Sequence, residues 1–171
     1  RAARLGRKAA ALTFTPHPRA FFRPDVPVFN LSSERNRVRL LAATGLDGAI
    51  IMTFGHELAA TSAADFIERI LAGRFGIAGA AIGFDFHFGQ KRGGSPEYLA
   101  EQGQRLGFAV DIVPRFEDEG RPVSSGAVRT ALTEGKVVEA AELLGAPWFV
   151  TGEVIHGEKR GRELGFPTAN I

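Results

Sequence analysis

Four short, almost unbroken apolar runs constrain this chain more than any other feature. Lys8 to Phe14 (KAAALTF), Gly48 to Phe54 (GAIIMTF), Ile77 to Gly83 (IAGAAIG) and Phe108 to Pro114 (FAVDIVP) are each too short for a stable helix and read as buried parallel strands. Between them lie helical patterns with legible ends. The first has Ser32 or Ser33 as N-cap, runs through Val38, Leu40 and Leu41, and stops at Gly45. The second opens with Ser62-Ala-Ala-Asp65, buries Phe66, Ile67, Ile70 and Leu71, and stops at Gly73. The third starts Ser95-Pro96-Glu97 and stops at Gly107. Strand and helix alternating every roughly 30 residues predict an α/β fold with an open, mostly parallel sheet and right-handed crossovers.

After Pro114 the pattern changes. Ser125 to Glu134 and Val137 to Leu144 read as two short helices separated by Gly135, and from Pro147 the chain turns β-like (PWFVTGEVIHG) before becoming rich in glycine and charge. A domain boundary is expected near Gly145 to Pro147. The 171 residues suit one domain and the start of another. The chain opens at Arg1 and its only methionine is Met52, so it is expected to be an internal piece of a longer protein.

Composition excludes several classes. With no cysteine there is no disulfide framework, thiolate zinc site or cysteine nucleophile, which fits a reducing, cytoplasmic setting. No apolar run approaches the ~20 residues of a membrane span, and no signal peptide is visible. A net charge of +2, from 21 basic against 19 acidic residues, gives no basic footprint for nucleic acid. Nothing in the sequence fixes an oligomeric state.

In an open α/β sheet, ligands bind beyond the carboxyl ends of the strands. After the first strand comes Thr15-Pro16-His17-Pro18, where two prolines stiffen the presentation of the imidazole. After the second comes Gly55-His56-Glu57. After the third, Phe84, Phe86 and Phe88 alternate with Asp85 and His87, so an extended backbone would turn the rings to one side, where they could pack on a planar ligand. Gly89, Gly93 and Gly94 with Lys91 and Arg92 then suggest a flexible cationic loop able to approach phosphate. Ser124-Ser125-Gly126-Ala127-Val128-Arg129 places hydroxyls, free amides and a guanidinium at a helix N-terminus, an anion site. Two chemistries remain open: phosphate-group transfer on a nucleotide, and a metallohydrolase using His17, His56, Asp85 and His87, which lacks ligand pairs at recognised spacing such as HExxH.

Thr13 to Pro18, Gly83 to Gly89, Ser124 to Arg129 and Gly152 to Asn170, in this order and spacing, resemble the bacterial bifunctional riboflavin kinase/FMN adenylyltransferases, the bacterial FAD synthetases. The resemblance covers the whole chain. It implies a Rossmann-like nucleotidyltransferase domain over 1–146, truncated at its N-terminus, and over 147–171 the beginning of a β-barrel riboflavin kinase domain. The implied reactions are transfer of AMP from ATP to FMN, giving FAD and pyrophosphate, and phosphorylation of riboflavin to FMN, with Mg2+ assisting. By motif, Ser125, Gly126 and Arg129 would hold ATP, with Arg129 and His17 as catalytic groups. His17, Asp85, Phe84, Phe86 and Phe88 would line the flavin pocket, and Thr168 and Asn170 would bind Mg2+ and ATP in the kinase domain. The family's HxGH loop would lie upstream of Arg1, so the piece alone is expected to be poorly active. Gly126 stands where threonine or serine is common, which removes one hydroxyl. A related transferase with another acceptor is the alternative within this fold.

Overall fold

A computed structural model describes residues 2–26, 29–118, 120–157, 161 and 165–166. The elements in order are β1 (Ala10–Thr15), α1 (Pro18–Phe22), α2 (Glu34–Ala43), β2 (Gly48–Thr53), α3 (His56–Ala60), α4 (Ala63–Asp65) running into a π-helical stretch (Phe66–Arg74), β3 (Gly79–Gly83), α5 (Pro96–Leu106), β4 (Ala109–Val113), β5 (Glu117–Asp118), β6 (Arg121–Pro122), α6 (Ser125–Thr133) and α7 (Val137–Leu144). The chain forms two compact units, Arg1–Phe29 with Val38–Val123, and Asn30–Arg37 with Ser124–Ile171.

In the first unit all four expected strands form within one or two residues of their apolar runs, and they pair in parallel. β1 pairs with β2 from Ala10 opposite Gly48 to Thr15 opposite Thr53, and β3 with β4 from Gly79 opposite Ala109 to Gly83 opposite Val113. The expected single sheet is corrected: among the described residues these are two separate two-stranded pairs. Neither pair is sandwiched on both faces, so the strands are half-buried rather than buried, with Ile51, Ile112 and Val113 exposed. Leu12 and Phe14 of β1, Ala80 and Ile82 of β3 and Val110 of β4 pack on one core of Phe66, Ile67, Leu71, Phe88, Leu99 and Phe108.

The helix ends follow local chemistry. Ser62 Oγ accepts the Asp65 amide at 3.0 Å, and Ser95 Oγ accepts that of Tyr98 at 3.2 Å. Pro96 follows at the first helical position, and α5 closes on Gly107 in the left-handed region (φ 81°). In α2 Val38 and Leu40 are exposed, and the residue the helix buries is Asn36. Leu40 falls off the stripe that Val38 and Leu41 define, so the apolar triplet makes no continuous face. The second helix departs from its pattern. Its Phe66–Arg74 part has π geometry, with the Phe75 amide bonded back to the Ile70 carbonyl at 3.0 Å.

The second unit is built on α6 and α7. Val128, Ala131 and Ala140 are buried, with Leu31, Leu132 and Leu143 packed against them. Gly135 (φ 73°) turns the chain between the helices as expected. Beyond Leu144 the described residues up to 157 form no strand, and Ile155 makes a single β-bridge.

Candidate active site

β1 ends in a cis Thr15–Pro16 bond, and His17 caps α1: its Nδ1 accepts the Arg19 amide at 3.1 Å. A neutral ring therefore carries its proton on Nε2. The ring is half-buried. Around the carboxyl ends of β1 and β2 lies an aromatic cluster that the sequence reading missed. Phe21 meets Phe22, Phe54 and the His56 ring edge-on at centroid distances of 5.3, 5.4 and 5.0 Å, and Phe22 and Phe14 meet Phe54 at 5.7 and 5.8 Å. Phe22 is 62% exposed, an aromatic face left open at the end of α1. Its rings come from three segments of the chain, so no single motif carried the signal. His56 opens α3 and is held in this cluster.

The segment after β3 is not extended. Phe84 and Asp85 form a turn closed by the Phe86 amide on the Gly83 carbonyl at 3.1 Å, so the expected one-sided row of rings is corrected. Phe88 is buried, stacked on Phe86 (centroids 5.5 Å, planes 18° apart) and packed against Phe66. Phe86 is half-buried against the same core, while Phe84 and Asp85 are exposed. His87 is exposed, with its Nδ1 3.0 Å from the Asp85 carbonyl, to which Nδ1–H donates.

The cationic loop is pinned rather than flexible. Phe88 and Gly94 exchange backbone hydrogen bonds at 3.1 and 2.9 Å, and the Gln90 amide bonds the Thr61 carbonyl at 2.8 Å. The glycines serve close packing: a Cβ on Gly89 would stand 2.6 Å from the Ala63 amide nitrogen. Lys91 and Arg92 sit exposed at its tip with positive φ of 53° and 58°.

In the second unit, Ser124 caps α6 by accepting the Ala127 amide at 3.1 Å, and its carbonyl takes the Val128 amide. The Ser125 and Gly126 amides have no partner among the described residues, so the positive end of the helix presents two free donors. Arg129 Nη1 donates to the Ser125 carbonyl at 3.2 Å, which folds the guanidinium back over the same turn. Ser125, Gly126 and Arg129, expected from the sequence to hold ATP, thus lie together in the first turn and a half of α6. Thr168 and Asn170 lie outside the described residues. Among the described residues no three His, Asp or Glu side chains gather as metal ligands, so His17, His56, Asp85 and His87 form no metallohydrolase centre there.

These features define a mixed α/β protein with parallel strand pairs, an aromatic edge and a helix terminus with two open amides beside an arginine. The FAD synthetase family model matches residues 1–127, and the riboflavin kinase model matches 144–171. The chain belongs to the FAD synthetase family. It is 37% identical over 171 residues to the bifunctional riboflavin kinase/FMN adenylyltransferase of Pseudomonas fluorescens, covering 100% of this chain and 55% of the relative. It is 36% identical over 160 residues to that of Escherichia coli K12, covering 94% and 51%. The chain thus spans about half the length of the curated relatives it matches. A crystal structure named as a macrolide-efflux protein from Streptococcus pneumoniae superposes with a TM-score of 0.78 at 31% identity, over 99% of this chain and 55% of that one. That name differs from those of the curated relatives and the family models, which agree with one another. Among the described residues no helix is long and apolar enough to cross a membrane.

Proposed function

We propose that the protein containing this chain transfers AMP from ATP to FMN, giving FAD and pyrophosphate, and phosphorylates riboflavin to FMN in its later part. In this reading residues 1–146 belong to a Rossmann-like adenylyltransferase domain and 147–171 begin a barrel-type kinase domain, in a cytoplasmic enzyme. The observation that carries it is Arg129 folded onto the first turn of α6, beside the open Ser125 and Gly126 amides, in a chain of this family.

Adenylyl transfer needs charge handling more than covalent chemistry. An FMN phosphate oxygen attacks the α-phosphorus of ATP in line, the bond to the bridging oxygen breaks, and pyrophosphate leaves with the negative charge. The guanidinium and the two amides stabilise that charge where it develops, and Ser125 adds a hydroxyl. His17 stands at the strand edge as a catalytic group in this reading, and Phe22 with its neighbouring rings offers an apolar face for the flavin. Asp85, Phe84 and Phe86 extend that lining from β3, while Phe88 supports it from the core.

The test is a coupled assay on the full-length protein. FMN and ATP should yield FAD and pyrophosphate in equal amounts. AMP transfer to some other acceptor, with none to FMN, would overturn the assignment.

A further inference from the structure

Asn36 is the one polar residue buried among the described residues, at 2% exposure. Burying an amide is costly unless its hydrogen bonds are made, and here they are. Its Nδ2 donates to Thr151 Oγ1 at 3.0 Å, and Thr151 Oγ1 donates back to Asn36 Oδ1 at 3.2 Å. Three residues before Thr151, Trp148 Nε1 donates to the Leu31 carbonyl at 2.7 Å. Leu31 in turn packs on Val128, Ala131 and Ala140, the buried side of the α6–α7 hairpin. All of these residues belong to the second compact unit. Yet Leu31 and Asn36 fall in the stretch matched by the FAD synthetase model, whereas Trp148 and Thr151 fall in that matched by riboflavin kinase.

We infer that Asn36 and Thr151 form a positioning latch, through which the start of the kinase segment holds the helix that presents Ser125 and Arg129. The latch touches no reacting atom. It acts by fixing Leu31 and the first turn of α2, the floor on which α6 rests. This rests on the functional reading given above for α6. It also supplies a physical route by which the kinase portion influences adenylyl transfer.

The experiment compares Thr151→Val, nearly isosteric but without the hydroxyl, with Thr151→Ser, which keeps it, in the full-length protein. Two quantities are read: KM for ATP against kcat in FAD formation, and amide hydrogen exchange of α6. Thr151→Val should raise KM for ATP about fivefold or more, with a smaller change in kcat, and should speed exchange in α6. Thr151→Ser should stay near wild type in both. Should Thr151→Val fail to fold, Asn36→Ala with Thr151→Ala removes both partners, leaves no buried amide unpaired and adds no apolar bridge, and carries the same expectation. Unchanged KM and unchanged α6 exchange would overturn the latch, as would a Thr151→Ser defect equal to that of Thr151→Val. If the wild type makes no FAD, the functional reading falls, and α6 exchange alone decides the latch.

Discussion

Gly94 lies flat against the ring of Phe88: a Cβ at this glycine would come within 2.6 Å of the ring's Cζ, while the two backbones exchange hydrogen bonds. The ring cannot retreat, because it is buried against Phe66 and Phe86. Gly94→Ala should therefore lower stability by about 1–3 kcal/mol, the usual range for overpacking. Thermal or urea unfolding measures it, and a stability within 0.5 kcal/mol of wild type would contradict the packing role.

Phe88→Ala should cost about 3–5 kcal/mol, since it empties a core position. Phe22→Ala removes a ring that is mostly in solvent and should leave stability close to wild type. Its expected effect is on the ligand, with FMN binding weakened by about tenfold as a ring contact is lost. Flavin fluorescence titration reads this, and unchanged FMN affinity would remove Phe22 from the pocket.

Arg129→Ala should lower kcat for FAD formation by about 100-fold, and Arg129→Lys should recover only part of it, because an ammonium cannot reproduce the planar fork. Circular dichroism of the variants checks that α6 persists. Full activity in a folded Arg129→Ala enzyme would dismiss the anion site.

Glu97, in the first turn of α5, is held below the usual glutamate range by a hydrogen bond from its own backbone amide, by Ser95 and, more weakly, by the charge of His87. A lowered folded value means that the stabilisation is present above the unfolded value, near pH 4.5, and is lost as pH falls through the folded one. Glu97→Gln should thus be less stable than wild type at pH 7, with the difference closing in acid. A gap that is constant from pH 7 to acid would refute this.

What could be read from the chain was what its chemistry makes local. α5 was legible at both ends because Ser95, Pro96 and Gly107 each act within one turn, and α6 because a serine cap and an arginine one turn on need nothing distant. The parallel strand pairs followed from apolar runs. Their division into two pairs did not, since pairing partners are chosen through space. Asn36 reads as an ordinary helix residue until Thr151 is placed beside it, and the Phe21, Phe22, Phe54 and His56 cluster exists only once β1 and β2 align. The Phe84 to Phe88 alternation misled because a turn at Asp85 breaks the period on which it relied.

The sequence separation of 115 between Asn36 and Thr151 also sets an order of events during synthesis. At 5–20 residues per second, the first turn of α2 leaves the ribosome on the order of ten seconds before its partner exists. Until then its amide is satisfied by water. The second unit therefore closes late, after the strand pairs of the first have had time to form, and a nascent chain halted before Thr151 would carry α6 without its floor fastened.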